Sequence, residues 1–287
     1  MFNNIVLIKL NHYFNLIRLD KPVGIFLLMW PCFFALAIIY ELNNYNIYWF
    51  IYFFIGSFLM RAAGCIINDL VDINLDKKID RTANRPLTSN KITIAEAFFI
   101  LTILLISSFI ILLEFNYRAI LIGIASMPLV VIYPFLKRYT YWPQLGLGIV
   151  FNWGVFIVSV QFMQNITFDF LLLYIGCVFW TLGYDTIYAY QDLKDDIKNN
   201  IKSTAVLFGD HGKKFVMFFY SIFLIIIGFI GFYSSKNFIS LIVIILLIFA
   251  IGLYLNKWKL NSITSSNNYF KFNNIIGLIC FLYLFVF

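Results

Sequence analysis

Eight of the fourteen carboxylates in this 287-residue chain fall in two short clusters, each at the end of a long hydrophobic run. The first reads Asn68-Asp69-x-x-Asp72-x-x-x-Asp76-x-x-x-Asp80; the second holds Asp185, Asp192, Asp195 and Asp196. Asn68, Asp72, Asp76 and Asp80 recur every fourth residue, so on a continued helix their side chains stack along one face. Asp192 and Asp196 repeat that spacing at the end of the sixth apolar run, with Asp185 two turns deeper. Like charges at this spacing repel by roughly 0.2–0.5 kcal/mol per pair, and the arrangement calls for a cation. Hard oxygen donors with no Cys or His among them favour Mg²⁺ or Ca²⁺ over zinc or copper. Mg²⁺ takes few protein carboxylates and fills its shell with water and phosphate oxygens, so two facing clusters point to metal ions holding a diphosphate. Asn68, Asp72, Asp76, Asp192 and Asp196 are the candidate metal ligands. Arg81, Arg85, Lys137, Arg138, Lys198 and Lys202 are available to neutralise the remaining phosphate charge. Lys77, Lys78, Asp80, Lys194 and Asp195 read equally well as solvated loop charge.

The elements that must carry these residues follow from composition. With 62% hydrophobic residues, 12% charged and a mean hydropathy of +0.87, no globular surface can hide the apolar area, and a soluble domain is excluded. A spanning helix needs about 20 mainly apolar residues. Nine stretches qualify: Pro22–Tyr40, Tyr48–Ile67, Ile94–Leu113, Ala119–Leu136, Gln144–Met163, Phe168–Ala189, Phe215–Tyr233, Phe238–Leu255 and Phe270–Phe287. The prediction is an all-α polytopic membrane protein, a single domain over 1–287, with about nine transmembrane helices in a bundle.

That threading puts 19 of the 21 Lys and Arg residues on one side and only Arg118 and Lys236 on the other. Positive residues near helix ends are retained in the cytoplasm, which places the N-terminus and both acidic clusters there. The far-side loops, ELNNYN, EFNYR, QNIT and SSKN, are short and nearly uncharged, so the site should open on the cytoplasmic face. The net charge of +7 is mostly this topology, and no nucleic-acid partner is expected. Cys32, Cys65, Cys177 and Cys280 are scattered without a C-x-x-C pair, and His12 and His211 stand alone, so neither a disulfide frame nor a zinc site is expected. The opening MFNNIVLIKLNHYFNLIRLDKPVG lacks the marks of a signal or transit peptide and reads as an interfacial helix. A bacterial inner membrane is the economical location.

Asn68-Asp69-x-x-Asp72-x-x-x-Asp76 followed by RTANRPL at Arg81–Leu87 resembles the first motif of the UbiA superfamily of intramembrane prenyltransferases. Asp192-x-x-x-Asp196 followed by IKST at Ile201–Thr204 resembles the second. RLDKPVG at Arg18–Gly24, MRAAGC at Met60–Cys65, YPFLKR at Tyr133–Arg138 and DTIYA at Asp185–Ala189 are similar to the 4-hydroxybenzoate polyprenyltransferase branch. The likeness runs collinearly from about Arg18 to Gly209; the last three spans match only in hydrophobicity. It implies Mg²⁺-dependent transfer of a polyprenyl group from its diphosphate to the position ortho to the hydroxyl of 4-hydroxybenzoate, with release of diphosphate, an early step of ubiquinone biosynthesis.

Under that implied chemistry the departing diphosphate must be stabilised by metal and basic groups. Asp72, Asp76, Asp192 and Asp196 take the catalytic metal role, and Arg81, Lys137 and Lys202 are the candidates for direct phosphate contact. Tyr133 and Tyr184, beside motif residues, are placed to stabilise the allyl cation. Arg61 or Arg138 suits the acceptor carboxylate as a fork-like ion pair. A polyprenyl tail is too long for a closed pocket, so a lateral opening toward the lipid bilayer is expected. Another acceptor, haem or naphthoate, is the alternative within the superfamily. An ion-coupled transporter predicts broken helices and charge near the bilayer midplane, whereas the acids here gather at one face. A CDP-alcohol phosphotransferase calls for about six spans and a single D-G-x-x-A-R-type cluster, and the sequence shows neither.

Overall fold

The structure, a computed structural model, describes residues 2–43 and 46–287. The described residues are helical, without a strand, as apolar runs in lipid must be, because only a helix satisfies its backbone groups within one segment. In chain order the helices are α1 (Phe2–Leu16), α2 (Val23–Asn43), α3 (Tyr48–Asp76), α4 (Ile94–Leu112), α5 (Tyr117–Ala125), α6 (Met127–Ile132), α7 (Leu136–Tyr139), α8 (Pro143–Phe151), α9 (Gly154–Met163), α10 (Phe168–Ala189), α11 (Leu193–Lys198), α12 (Thr204–Phe208), α13 (Gly212–Ser235), α14 (Phe238–Asn256) and α15 (Ile263–Val286). They compose nine segments long and apolar enough to span a membrane among the described residues. The far-side loop ELNNYN includes Asn44 and Tyr45, which lie outside the described residues.

Two differences from the sequence expectation shape the site. The second span does not stop at Ile67: α3 continues unbroken to Asp76 and so carries Asn68, Asp72 and Asp76 on one helix. The fourth and fifth spans are not continuous. The fourth divides into α5, α6, a 3₁₀ turn at Tyr133–Phe135 and α7, and the fifth into α8 and α9. Pro128 and Pro134 lack the N–H that would continue the ladder. Ser126 Oγ donates 2.6 Å to Gly123 O at the first break. Asn152 Nδ2 donates to Gly148 O at 2.6 Å and to Thr181 Oγ1 at 2.9 Å at the break between α8 and α9. These breaks present Tyr133 and Lys137 at the end of the bundle where α3 ends.

Helix α10 is the central post, packed against α8, α13 and α15. Its Trp180 is fully buried and stacks on Phe223 of α13 with ring centroids 5.0 Å apart. One buried amide joins three helices here. Asn273 on α15 accepts from Trp180 Nε1 at 2.9 Å and from the Tyr220 hydroxyl, and its Nδ2 donates to Tyr269 O at 3.0 Å. Replacing it with Leu strands two buried donors, so Asn273→Leu should lower unfolding stability by about 2–4 kcal/mol. A thermal melt of the purified variant in detergent reads this, and an unchanged melting temperature would refute it.

Candidate active site

The C-terminal end of α3, the turn before α7 and the segments joining α3 to α4 and α10 to α12 surround a cavity of about 790 Å³. Six aspartates and eight basic side chains line it, among them Asp76, Asp185, Asp192, Asp196, Arg61, Arg81, Arg85, Lys137 and Lys202. Asn68, Tyr133 and Tyr184 also reach its wall. The surplus of cations over aspartates suits an anionic ligand, and the carboxylates among them suit metal ions bound with it.

Each motif aspartate on α3 is held by a cation. Asp72 is fully buried and pairs with Lys137 Nζ, which stands between it and the cavity. Asp76 pairs with Arg85 Nη1 at 2.6 Å. Asp69, not assigned as a metal ligand from sequence, is gripped by Arg18 Nη2 at 2.7 and 2.8 Å and by Arg85 at 3.1 Å. Arg18 holds this position in the left-handed region, at φ 59°. The Arg18 and Arg85 motifs thus share one buried anchor, Asp69, that fixes the α1–α2 turn and the loop after α3 to the helix between them.

The second cluster is built differently from expectation. Helix α10 ends at Ala189, and Asp192 lies beyond it as the residue preceding α11. Asp192 and Asp196 therefore share a turn of α11, where Asp196 N donates to Asp192 O at 2.8 Å, and not the end of the sixth span. The chain turns because Asp192 N bonds Ala189 O at 3.0 Å, while Asp192 itself leaves helical geometry at φ −106°, ψ 4°. Arg81 donates to Asp192 Oδ1 at 2.7 Å and to the Tyr188 hydroxyl at 2.6 Å, with its guanidinium 4.8 Å over the Tyr188 ring. Tyr188 escaped the sequence reading; its position three residues after Asp185 and four before Asp192 is the signal that could have found it. Ser203 Oγ donates to Asp196 Oδ2 at 3.1 Å, and Thr204 N donates to Gln144 Oε1 at 3.0 Å, which is how the IKST stretch docks this loop. Asp195 accepts from Asp80 N at 3.2 Å and so stitches the two acidic loops together.

Of three further candidates, Arg138 and Lys202 are held otherwise than the roles assigned by sequence would need, and Arg61 is not. Arg138 does not reach the cavity: it donates to Val71 O at 2.8 Å, because successive residues of α7 point about 100° apart and Lys137 takes the inward direction. Lys202 lines the cavity, but its Nζ donates to Tyr139 O at 3.0 Å and lies near the Tyr141 ring. Arg61 lies at the inner end of the cavity, its guanidinium 5.4 Å over the Phe151 ring, and has no carboxylate partner among the described residues. Gly24 of α2 packs directly on that guanidinium, where a Cβ would collide with it.

The donor set fits Mg²⁺. The oxygens are carboxylate and amide, and Asp72 Oδ1 is buried with no hydrogen-bond partner among the described residues, Arg138 standing 3.7 Å away. Among the described residues no three carboxylates converge as a ready cage, because Lys137, Arg85 and Arg81 occupy the positions between them. Burial, reinforced by the charge of Asp192, pushes the Asp196 carboxyl up to about 7. A carboxyl raised in the folded state stabilises the fold below its ordinary range near 4, and that contribution is lost as pH rises through 7. In EDTA at pH 8, Asp196→Asn should therefore raise the melting temperature, by up to a few kcal/mol of stability. A variant that melts lower at pH 8 would contradict this reading.

This fold and site define a class: multi-pass helical membrane proteins that gather paired aspartate motifs and basic side chains in one cavity. The pattern of the UbiA prenyltransferase family matches residues 28–276, and the chain belongs to that family. It is 44% identical over 205 residues, 71% of this chain, to the mitochondrial 4-hydroxybenzoate polyprenyltransferase of Aedes aegypti, and that match takes in 46% of the relative, so the chain spans about half its length. It is 38% identical over 275 residues to the 4-hydroxybenzoate octaprenyltransferase of Francisella tularensis subsp. mediasiatica, covering 96% of each. A UbiA homolog from Archaeoglobus fulgidus bound to GPP and Mg²⁺ shares the fold, with a TM-score of 0.70 at 18% identity over 96% of this chain and 98% of that one.

Proposed function

We propose that the chain transfers a polyprenyl group from polyprenyl diphosphate to the carbon ortho to the hydroxyl of 4-hydroxybenzoate, releasing diphosphate, in ubiquinone biosynthesis. The observation that supports this reading is one cavity lined by both aspartate motifs and by basic side chains, with Arg61, which has no carboxylate ion pair among the described residues, in its wall. The assigned acceptor is the one named for relatives that match most of this chain. Its N-terminus and the mouth of the cavity face the cytoplasm, as the 19 to 2 division of basic residues supports, and a bacterial inner membrane is its site.

Asn68, Asp72, Asp76, Asp192 and Asp196 would hold Mg²⁺, as their oxygen donors suit. Mg²⁺ there would offset diphosphate charge and make it a better leaving group. Arg81, Lys137 and Arg85 exchange their carboxylate partners for phosphate oxygens when the donor arrives, so the cations that neutralise the acids at rest neutralise the leaving group in the reaction. Lys202, tied to Tyr139, is a weaker phosphate contact than its neighbours. The C–O bond breaks with its electron pair passing to diphosphate, and the faces of Tyr133 and Tyr184 stabilise the allyl cation by about 0.5–2 kcal/mol each. Arg61 pairs with the acceptor carboxylate and turns the phenol ring toward that cation. The ring carbon attacks, and Asp185, which lines the cavity without an ion pair among the described residues, takes the proton released when aromaticity returns.

Membranes containing the protein, given a polyprenyl diphosphate, Mg²⁺ and labelled 4-hydroxybenzoate, should yield a lipid-extractable product. No product with any of several acceptors would overturn the enzyme reading. Product with a different acceptor alone would overturn the choice of substrate.

A further inference from the structure

Among the described residues, Arg85 is the one cation of the cavity wall that holds two carboxylates. Its Nη1 donates to Asp76 Oδ2 at 2.6 Å and to Asp69 Oδ1 at 3.1 Å. Lys137 and Arg81 each pair with a single motif aspartate. Asp69 and Asp76 stand seven residues apart on α3, two turns along one face, and the guanidinium lies between them. Asp69 is 1% exposed, and Arg18 Nη2 takes both of its oxygens, at 2.7 and 2.8 Å. With both oxygens engaged, this carboxylate has no part in holding the metal.

The backbone that carries Arg85 is pinned on both sides. Thr82, buried, donates through Oγ1 to Asp76 O at 2.9 Å, Arg85 N donates to Thr82 O at 3.0 Å, and Ser89 Oγ donates to Arg85 O at 2.8 Å. Arg18 is fixed as well, with Nη1 on Asn15 O at 3.1 Å. Freeing Asp76 for a divalent ion means displacing Arg85, and a guanidinium parted from its only carboxylate would be left as an unpaired, largely buried charge. Asp69 removes that penalty, because Arg85 stays partnered as it leaves Asp76. Resting on the proposed Mg²⁺ role of Asp76, we infer that Asp69, itself held by Arg18, is a positioning residue. It retains Arg85 when Asp76 passes to the metal, and so sets the metal affinity of the first motif without touching the ion.

The test removes this second partner without changing net charge. Arg18→Gln, Asp69→Asn deletes equal and opposite charges, strands neither, and leaves Arg85 with Asp76 alone. The full chain in nanodiscs of neutral phosphatidylcholine is titrated with Mn²⁺ alone, and electron paramagnetic resonance follows the ion that is lost in Asp76→Asn. Its Kd should rise at least about tenfold in the double variant. In an Arg85→Gln background the same two substitutions should shift Kd by less than about twofold, since no competitor remains at Asp76. A tenfold rise in both backgrounds, as a distorted site or a changed field would give, overturns the inference, and so does no rise in either. Asp69→Asn alone, which keeps Arg18 in place, should show the same dependence on Arg85 and guards against misfolding of the double variant. In turnover, the double variant should need at least about tenfold more Mg²⁺ for half-maximal rate, with kcat at saturating Mg²⁺ within about threefold of wild type. An unchanged Mg²⁺ requirement rejects the inference. Wild-type protein from which Asp76→Asn removes no Mn²⁺ would instead overturn the metal assignment of Asp76 on which it rests.

Discussion

Asp72→Asn should abolish product formation, with turnover falling at least ~10³-fold, while the protein still inserts in the membrane. The carboxylate is fully buried, pairs with Lys137 and leaves Oδ1 without a hydrogen-bond partner among the described residues. The amide keeps the shape but removes the charge, so it neither binds Mg²⁺ comparably nor balances Lys137. Breaking a buried pair on one side costs about 3–5 kcal/mol, so lost activity alone would be ambiguous. The double variant Asp72→Asn, Lys137→Met resolves it. Removing both charges should restore much of the melting temperature and none of the turnover. Recovery of activity with stability would mean that Asp72 serves the fold and not the metal. Mg²⁺-dependent binding of inorganic pyrophosphate should be lost in parallel with turnover in both variants.

Arg61→Leu should cut kcat/KM for 4-hydroxybenzoate about a hundredfold, roughly 3 kcal/mol for a charge-assisted pair, and leave Mg²⁺-dependent pyrophosphate binding unchanged. The selectivity of this loss is what distinguishes acceptor binding from the alternatives. Were Arg61 a phosphate ligand, pyrophosphate affinity would fall with it. Were it merely a snorkelling cation, neither quantity would move. Arg61→Lys should recover only part of the loss, because an ammonium cannot make the two parallel bonds of a guanidinium to a carboxylate. Phenol, which lacks the carboxylate, should be used equally poorly by wild type and variant. A wild-type enzyme that prefers 4-hydroxybenzoate over phenol no more than Arg61→Leu does would remove Arg61 from the acceptor site.

The helical segments were legible because lipid imposes one rule on every one of them, and windows of about 20 apolar residues report it. The breaks in the fourth and fifth spans were not, since Pro128, Pro134 and Asn152 act by removing or diverting single hydrogen bonds without lowering hydropathy. The transporter alternative anticipated broken helices; here they turn Tyr133 and Lys137 toward the acids of α3, and the acids still gather at one end of the bundle. The metal candidates stood out by their spacing, yet Asp69 in the same motif is clamped by Arg18 and Arg85. A four-residue period tells which side chains share a face of α3, and it says nothing about what approaches that face. Arg138 and Lys137 are adjacent in sequence and only one enters the cavity, a distinction set by rotation about α7.

The sequence alone carries the chemistry on offer: two carboxylate motifs, abundant basic residues assigned to one side, and nine apolar runs to seat them. These are matters of residue type, spacing and length, which local rules govern. Only the tertiary structure decides how the charges are shared. It gives Asp72 to Lys137, Asp76 to Arg85 and Asp192 to Arg81, leaves Arg61 without a carboxylate ion pair among the described residues, and opens an apolar slot beside it. These ion pairs join groups nine, 65 and 111 residues apart that meet within a few ångströms, and chain folding and helix packing set those distances. The two acidic clusters are therefore held in reserve by the same cations that would receive the diphosphate.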